Sequence, residues 1–171
     1  VQGRDDLEFV TAQQAMAYEH HRLEPIVPQD VSAAAAALGG EAGFYQIKGE
    51  WCAPSELLNL MARQLAGRAL LAELLYGPER HEKSVVVSPV SAKALAEAVF
   101  SDRTHVFGYK QLPVLYRVGD NFINPVDAFA TLSKAIQEGL DQVEVQTGRL
   151  AAADRVDRGV EFGGGWDLWE E

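Results

Sequence analysis

A chain of 171 residues, 47% hydrophobic and 23% charged, is the size of one domain and has the apolar content to bury a core, which excludes wholesale disorder. Its 15 Lys and Arg against 25 Asp and Glu set a formal charge of -10, a field that repels phosphate backbones and argues against a nucleic-acid partner. No apolar run reaches the ~18 residues of a bilayer span, and the single cysteine, Cys52, argues against a disulfide-stapled secreted scaffold and for a reducing, cytoplasmic setting.

The chain opens on Val1 instead of methionine, which reads as a processed form or a fragment, and VQGRDDLEFV lacks the basic-then-apolar order of a signal peptide. Residues 7–10 (LEFV) predict a short strand. Thr11 with Gln14 is a capping box for a helix carrying Ala12, Ala15, Met16 and Tyr18. Two prolines between Leu23 and Asp30 make that stretch a connector. Asp30 is placed as the N-cap of an alanine-rich helix that Gly39-Gly40 stops. FYQIKGEW, residues 44–51, reads as one strand.

The longest helical signal runs from Pro54 to Tyr76 and predicts a long central helix. Leu58, Met61, Ala62, Leu65, Ala69, Ala72 and Tyr76 share one face of it. Leu60, Gly67, Leu71 and Leu74 cluster near the opposite side, and a helix apolar on two faces calls for cover on both. The continuous valines of Ser84–Ser88 predict a strand buried on both sides. Ser88-Pro89 is the expected start of a helix to about Phe100. HVFGY (105–109) and LPVLYRV (112–118) predict strands, with Gly119-Asp120-Asn121 turning into NFIN as a hairpin. Asn124-Pro125 caps an amphipathic helix with Val126, Phe129, Leu132 and Ile136 on its apolar face and Asp127, Thr131, Lys134 and Glu138 on its polar one. Gly139 closes it, and a last strand is expected near Val143 and Val145.

These elements predict an α+β fold. Residues 1–147 form a single domain with a mixed or antiparallel sheet of about four to six short strands and four or five helices packed mainly on one side. Residues 148–171 form a flexible, polar, Gly-rich tail ending in an aromatic-acidic segment. No repeat of 20–50 residues is present.

No motif specifies chemistry. His20 and His21 are adjacent and point about 100° apart on a helix, and His81, His105 and Cys52 share no ligand spacing, so no metal and no cofactor is expected. Cys52 precedes a helix N-terminus that would favour a thiolate, yet no base is tied to it by spacing. Ser88, Ser91 and Ser101 read as caps and turns. Gly163-Gly164-Gly165 is followed by no Lys-Ser or Lys-Thr and fails as a phosphate loop. Catalytic residues therefore stay unassigned.

Trp166, Leu168 and Trp169, flanked by acids on a glycine tether, have the composition of a linear docking segment. Residues 166–169 resemble the short tryptophan-box peptide that binds clathrin, with Gly165 where that peptide carries proline. Together with Leu60, Gly67, Leu71 and Leu74 they predict a non-enzymatic interaction or assembly protein that meets a protein partner or itself, and neither membrane nor nucleic acid. One alternative is a small-molecule enzyme or ligand-binding domain assembled from Cys52, His81, His105, Tyr109, Tyr116 and Arg117. The other is a processed component of a virion or large assembly.

Overall fold

The structure is a computed structural model that describes residues 25–102, 104–106 and 109–151. The predicted strand at 7–10, the helix from Thr11, and Trp166, Leu168 and Trp169 lie outside the described residues. Within them the fold is α+β.

Four helices make the interior of the described chain: α1 (Pro28–Leu38), α2 (Pro54–Leu65), α3 (Ala92–Ser101) and α4 (Pro125–Glu138). Three of them begin on proline, whose preset φ suits the first turn and whose missing N–H would have had no partner there. Asp30 is the third residue of α1 and not its N-cap, because Pro28 starts the helix earlier. Its carboxylate instead accepts the Val27 N–H at 2.8 Å. Glu56 does the same for Ala53 at 2.7 Å in α2. Gly39 and Gly139 close α1 and α4 in the left-handed conformation, as expected.

Helix α2 touches the other three helices, and its Leu57, Leu58, Leu60 and Met61 are buried with Val31 of α1, Leu95 and Val99 of α3, and Phe129 and Leu132 of α4. At roughly 1.5–3 kcal/mol for each fully buried large aliphatic or aromatic side chain, this helical cluster dominates stability. The small Ala34 and Ala35 let α1 approach α4 closely enough for Ser133 Oγ and Gln137 Nε2 to donate to the Ala35 carbonyl, at 3.1 and 3.0 Å.

The expected single sheet of four to six strands is replaced, among the described residues, by two-stranded ladders set around the helices. β1 (Glu41–Ala42) pairs in parallel with β10 (Arg149–Leu150). β2 (Tyr45–Ile47) and β3 (Glu50–Cys52), β5 (Thr104–Val106) and β6 (Tyr109–Gln111), and β7 (Tyr116–Val118) and β8 (Asn121–Ile123) are antiparallel hairpins, while β4 (Val90–Ser91) pairs antiparallel with β9 (Gln142–Val143). Strands this short end where prolines and tight turns intervene. The predicted strand at 44–51 is itself a hairpin, because Lys48 and Gly49 both take positive φ, 49° and 84°, as a two-residue reversal of the chain requires. The hairpin through Gly119-Asp120 is found as predicted.

Two helix predictions are corrected. The long helix to Tyr76 stops at Leu65: Gly67 adopts φ 66°, its N–H bonds the Gln64 carbonyl, and the Arg68 N–H bonds the Arg63 carbonyl at 2.8 Å, the paired bonds of a glycine-terminated helix end. The following RALLAELL has high helix propensity, but tertiary contacts override it. The helix expected from Ser88 begins at Ala92, since Val90 and Ser91 are held extended by β9 and Ser91 Oγ caps the Ala94 N–H. Thr131, expected on the polar face of α4, is buried; its hydroxyl donates to the Asp127 carbonyl and accepts the Gln146 N–H.

Candidate interaction surface

The end of α2 sets up the first part of the surface. Arg63, buried in its last turn, turns its guanidinium outward past the break, donating from Nη1 to the Ala69 carbonyl at 3.0 Å and from Nη2 to Glu73 Oε2 at 3.1 Å. Glu73 also meets Lys110. Arg63 and Arg68 lie over the Phe100 ring of α3 at 4.9 and 4.0 Å. Segment 69–76 is thereby tied down without being helical, and Ser55 Oγ donates to the Leu75 carbonyl farther along it. Leu75 turns inward, whereas Leu71 and Leu74 are 58% and 41% exposed. The predicted second stripe therefore separates: Leu60 is fully buried in the domain's own core, Gly67 ends the helix, and Leu71 and Leu74 are exposed on a segment that is neither helix nor strand.

The second part is the valine run. Expected to be buried on both sides, Val85, Val86 and Val87 are instead 56%, 43% and 65% exposed. Val85 exchanges both backbone hydrogen bonds with Phe122 of β8, at 2.7 and 2.9 Å. By the alternation of an antiparallel ladder, this directs the N–H and C=O of Val86 away from β8. A single antiparallel bridge at Val85 thus joins the segment to β8, and its three valines stand exposed.

Buried polar groups hold this edge in place. Asn121 Oδ1 accepts the Val87 and Ser88 N–H groups. Ser84 Oγ donates to Asp127 Oδ2 and accepts the Asn124 N–H at 2.9 Å. Asp127 Oδ1 accepts the Gly148 N–H at 2.8 Å, so one carboxylate at the start of α4 joins the valine edge, the α4 cap and the approach to β10. Both carboxylate oxygens are occupied by structural bonds, which makes Asp127 a clamp.

Among the clefts of the described surface, one is polar and one apolar in lining. The polar one, of about 740 Å³, is lined by Gly40, Glu41, Lys134, Gln137, Gln146 and Arg149 among others, and Arg149 pairs with Glu41 at 3.3 Å across it. The apolar one, of about 260 Å³, lies between the starts of α2 and α4, lined by Pro54, Leu58, Leu112, Val126, Phe129 and Leu150 among others.

Neither cleft is lined by Cys52, His81, Tyr116 or Arg117. Cys52 and Tyr116 are buried in the core, His81 and Arg117 are exposed, and the side chains of His105 and Tyr109 lie outside the described residues. The buried Cys52 thiol is poorly placed to act as a nucleophile. Among the described residues no three His, Cys, Asp or Glu side chains converge as a metal site, and no helix is long and apolar enough to cross a membrane. Beside the valine segment, exposed Arg80 has its guanidinium raised above its ordinary value by the hydrogen bond and charge of Glu82. Sequence reasoning missed the outward valine edge because a continuous apolar run signals burial; only its flanks, Lys83 and Pro89, mark a strand end. No family model matches the chain, and no curated protein or solved structure is significantly similar to it.

Proposed function

We propose that this chain is a non-enzymatic interaction or assembly domain of a reducing, cytoplasmic setting that binds a protein strand along Val85–Val87, from a partner or from a second copy. The observation that carries this reading is the exposed valine edge, bonded to β8 on one side and rigidly backed by Asn121 and Ser84. An edge of three β-branched apolar residues offers main-chain hydrogen bonds and a sticky face together, the combination used in strand addition. Leu71 and Leu74 supply further exposed apolar contacts, and the aromatic-acidic segment with Trp166, Leu168 and Trp169 is a second docking element.

Self-association has a specific support. Ser84-Val85-Val86-Val87-Ser88 reads identically in both directions, so a two-fold antiparallel pairing would oppose Val86 to Val86 and Ser84 to Ser88 without setting like charges against each other. Sedimentation equilibrium of the chain alone and with captured partners, beside Val86→Lys, tests the reading. A complex lost in the variant supports it, and a monomer whose partner binding ignores the substitution overturns it.

A further inference from the structure

We propose that the polar cleft between the end of α1, the last turns of α4 and the start of β10 binds a small zwitterion, a free amino acid or a short peptide carrying both its terminal ammonium and its terminal carboxylate. This reading is independent of the valine edge. The cleft's volume of about 740 Å³ falls in the range of small-ligand sites, roughly 300–1,000 Å³. Its room comes from small residues: Ala130 of α4, Gly39 and Gly40 after α1, and Gly148 before β10 line it without long side chains. Its walls are fixed by bonds already made. Gln137 Nε2 donates to the Ala35 carbonyl at 3.0 Å, the Gln146 N–H donates to Thr131 Oγ1 at 2.9 Å, and β1 pairs with β10.

Unmatched charge selects the ligand. Four ionisable side chains line the cleft: Glu41, Lys134, Glu138 and Arg149. Glu41 and Arg149 satisfy each other at 3.3 Å. Lys134, half-buried, and Glu138 stand one turn apart on α4, yet among the described residues neither forms an ion pair with the other or with any third group. The cleft therefore offers one unmatched cation and one unmatched anion. Helix α1 ends at the cleft on Leu38 and Gly39 with no basic residue in its last turn, so its carbonyl-bearing negative pole joins Glu138 in favouring an ammonium. A ligand carboxylate suits Lys134. A purely anionic ligand would meet Glu138 and the helix end, a purely cationic one would meet Lys134, and an apolar one would desolvate both charges without replacing their water. A molecule bearing both signs satisfies the whole lining.

The test titrates the full chain with trialanine and with pools of the common free amino acids, following backbone amide shifts. Saturable shifts centred on Gly40, Lys134, Glu138 and Gly148 are expected. The probe that binds is then compared with its N-acetylated and its C-amidated forms, each of which should bind roughly tenfold more weakly for the loss of one charged contact. Lys134→Met should erase the penalty of the amide while keeping that of the acetyl group, and Glu138→Gln should do the reverse, with amide shifts away from the cleft unchanged in both variants. Binding of the free amino acids alone assigns the cleft to single residues, and binding of trialanine alone assigns it to peptides; either supports the proposal. The absence of saturable shifts at these amides with every probe overturns it. So does binding indifferent to both blocks, or a penalty that neither variant removes, since Lys134 and Glu138 would then contribute nothing to recognition.

Discussion

Arg63 Nη2 and Glu73 Oε2 meet at 3.1 Å across the point where α2 ends, joining the last turn of the helix to a segment that would otherwise have continued it. Both side chains are largely buried, at 9% and 17% exposure, so the pair acts in a medium where an unmatched charge is costly. Glu73→Ala should destabilise the domain by about 3 kcal/mol, the lower end for breaking a buried pair. Arg63→Met should cost less, because Glu73 keeps Lys110 even though the guanidinium contact with Phe100 is lost. Urea unfolding of both variants measures the order, and equal losses would mean that the contact with Lys110 does not stabilise Glu73.

Gly67 and Gly148 answer different constraints. Gly67 sits at φ 66° with open space where a Cβ would stand, so Gly67→Ala should cost only the left-handed backbone penalty, about 1 kcal/mol. A Cβ on Gly148 would collide with the Val126 carbonyl, and the clash would also pull the Gly148 N–H off Asp127. Gly148→Ala should therefore be the worse substitution by at least about 1 kcal/mol. Comparison of the two urea midpoints at a shared slope decides this.

Asp127→Ala should release three attachments together, those of Ser84, Asn124 and Gly148. With partly buried donors left unmatched, a loss of about 2–4 kcal/mol is expected. Amide exchange should accelerate at Gly148 and Asn124 ahead of the helical core; uniform acceleration would instead assign Asp127 a purely global effect.

Val86→Lys should change unfolding stability by no more than about 0.5 kcal/mol, because an outward edge residue contributes little to the core. The same substitution should abolish association through the edge, since a lysine there opposes strand pairing. A large loss of stability would show that the valine face is part of the interior.

Cys52 should react with a thiol reagent only as fast as the domain opens, since the sulfur is buried. Rapid stoichiometric labelling of the native chain would return it to candidacy as a nucleophile.

Much of the local architecture was readable without coordinates. Asn124-Pro125 with Gly139 bounded α4, Gly39 stopped α1, and Gly119-Asp120 marked the β7–β8 hairpin, each because a backbone constraint of a few residues decides a cap or a turn. Leu60 and the valine run were misread for a common reason. Periodicity tells which side chains cluster on a face, but not whether another element of the same chain covers that face.

The sequence by itself determined the α+β class, the acidic charge, and the starts and stops that proline, asparagine and glycine impose through their own dihedral limits. Only the tertiary structure decided that α2 ends at Leu65 and not at Tyr76, that Leu60 is core while Leu71 and Leu74 are surface, and that Val85–Val87 lies on an edge. Those outcomes depend on contacts between residues far apart in the chain, such as Lys110 with Glu73, Phe122 with Val85 and Gly148 with Asp127. No local pattern encodes which distant partner arrives.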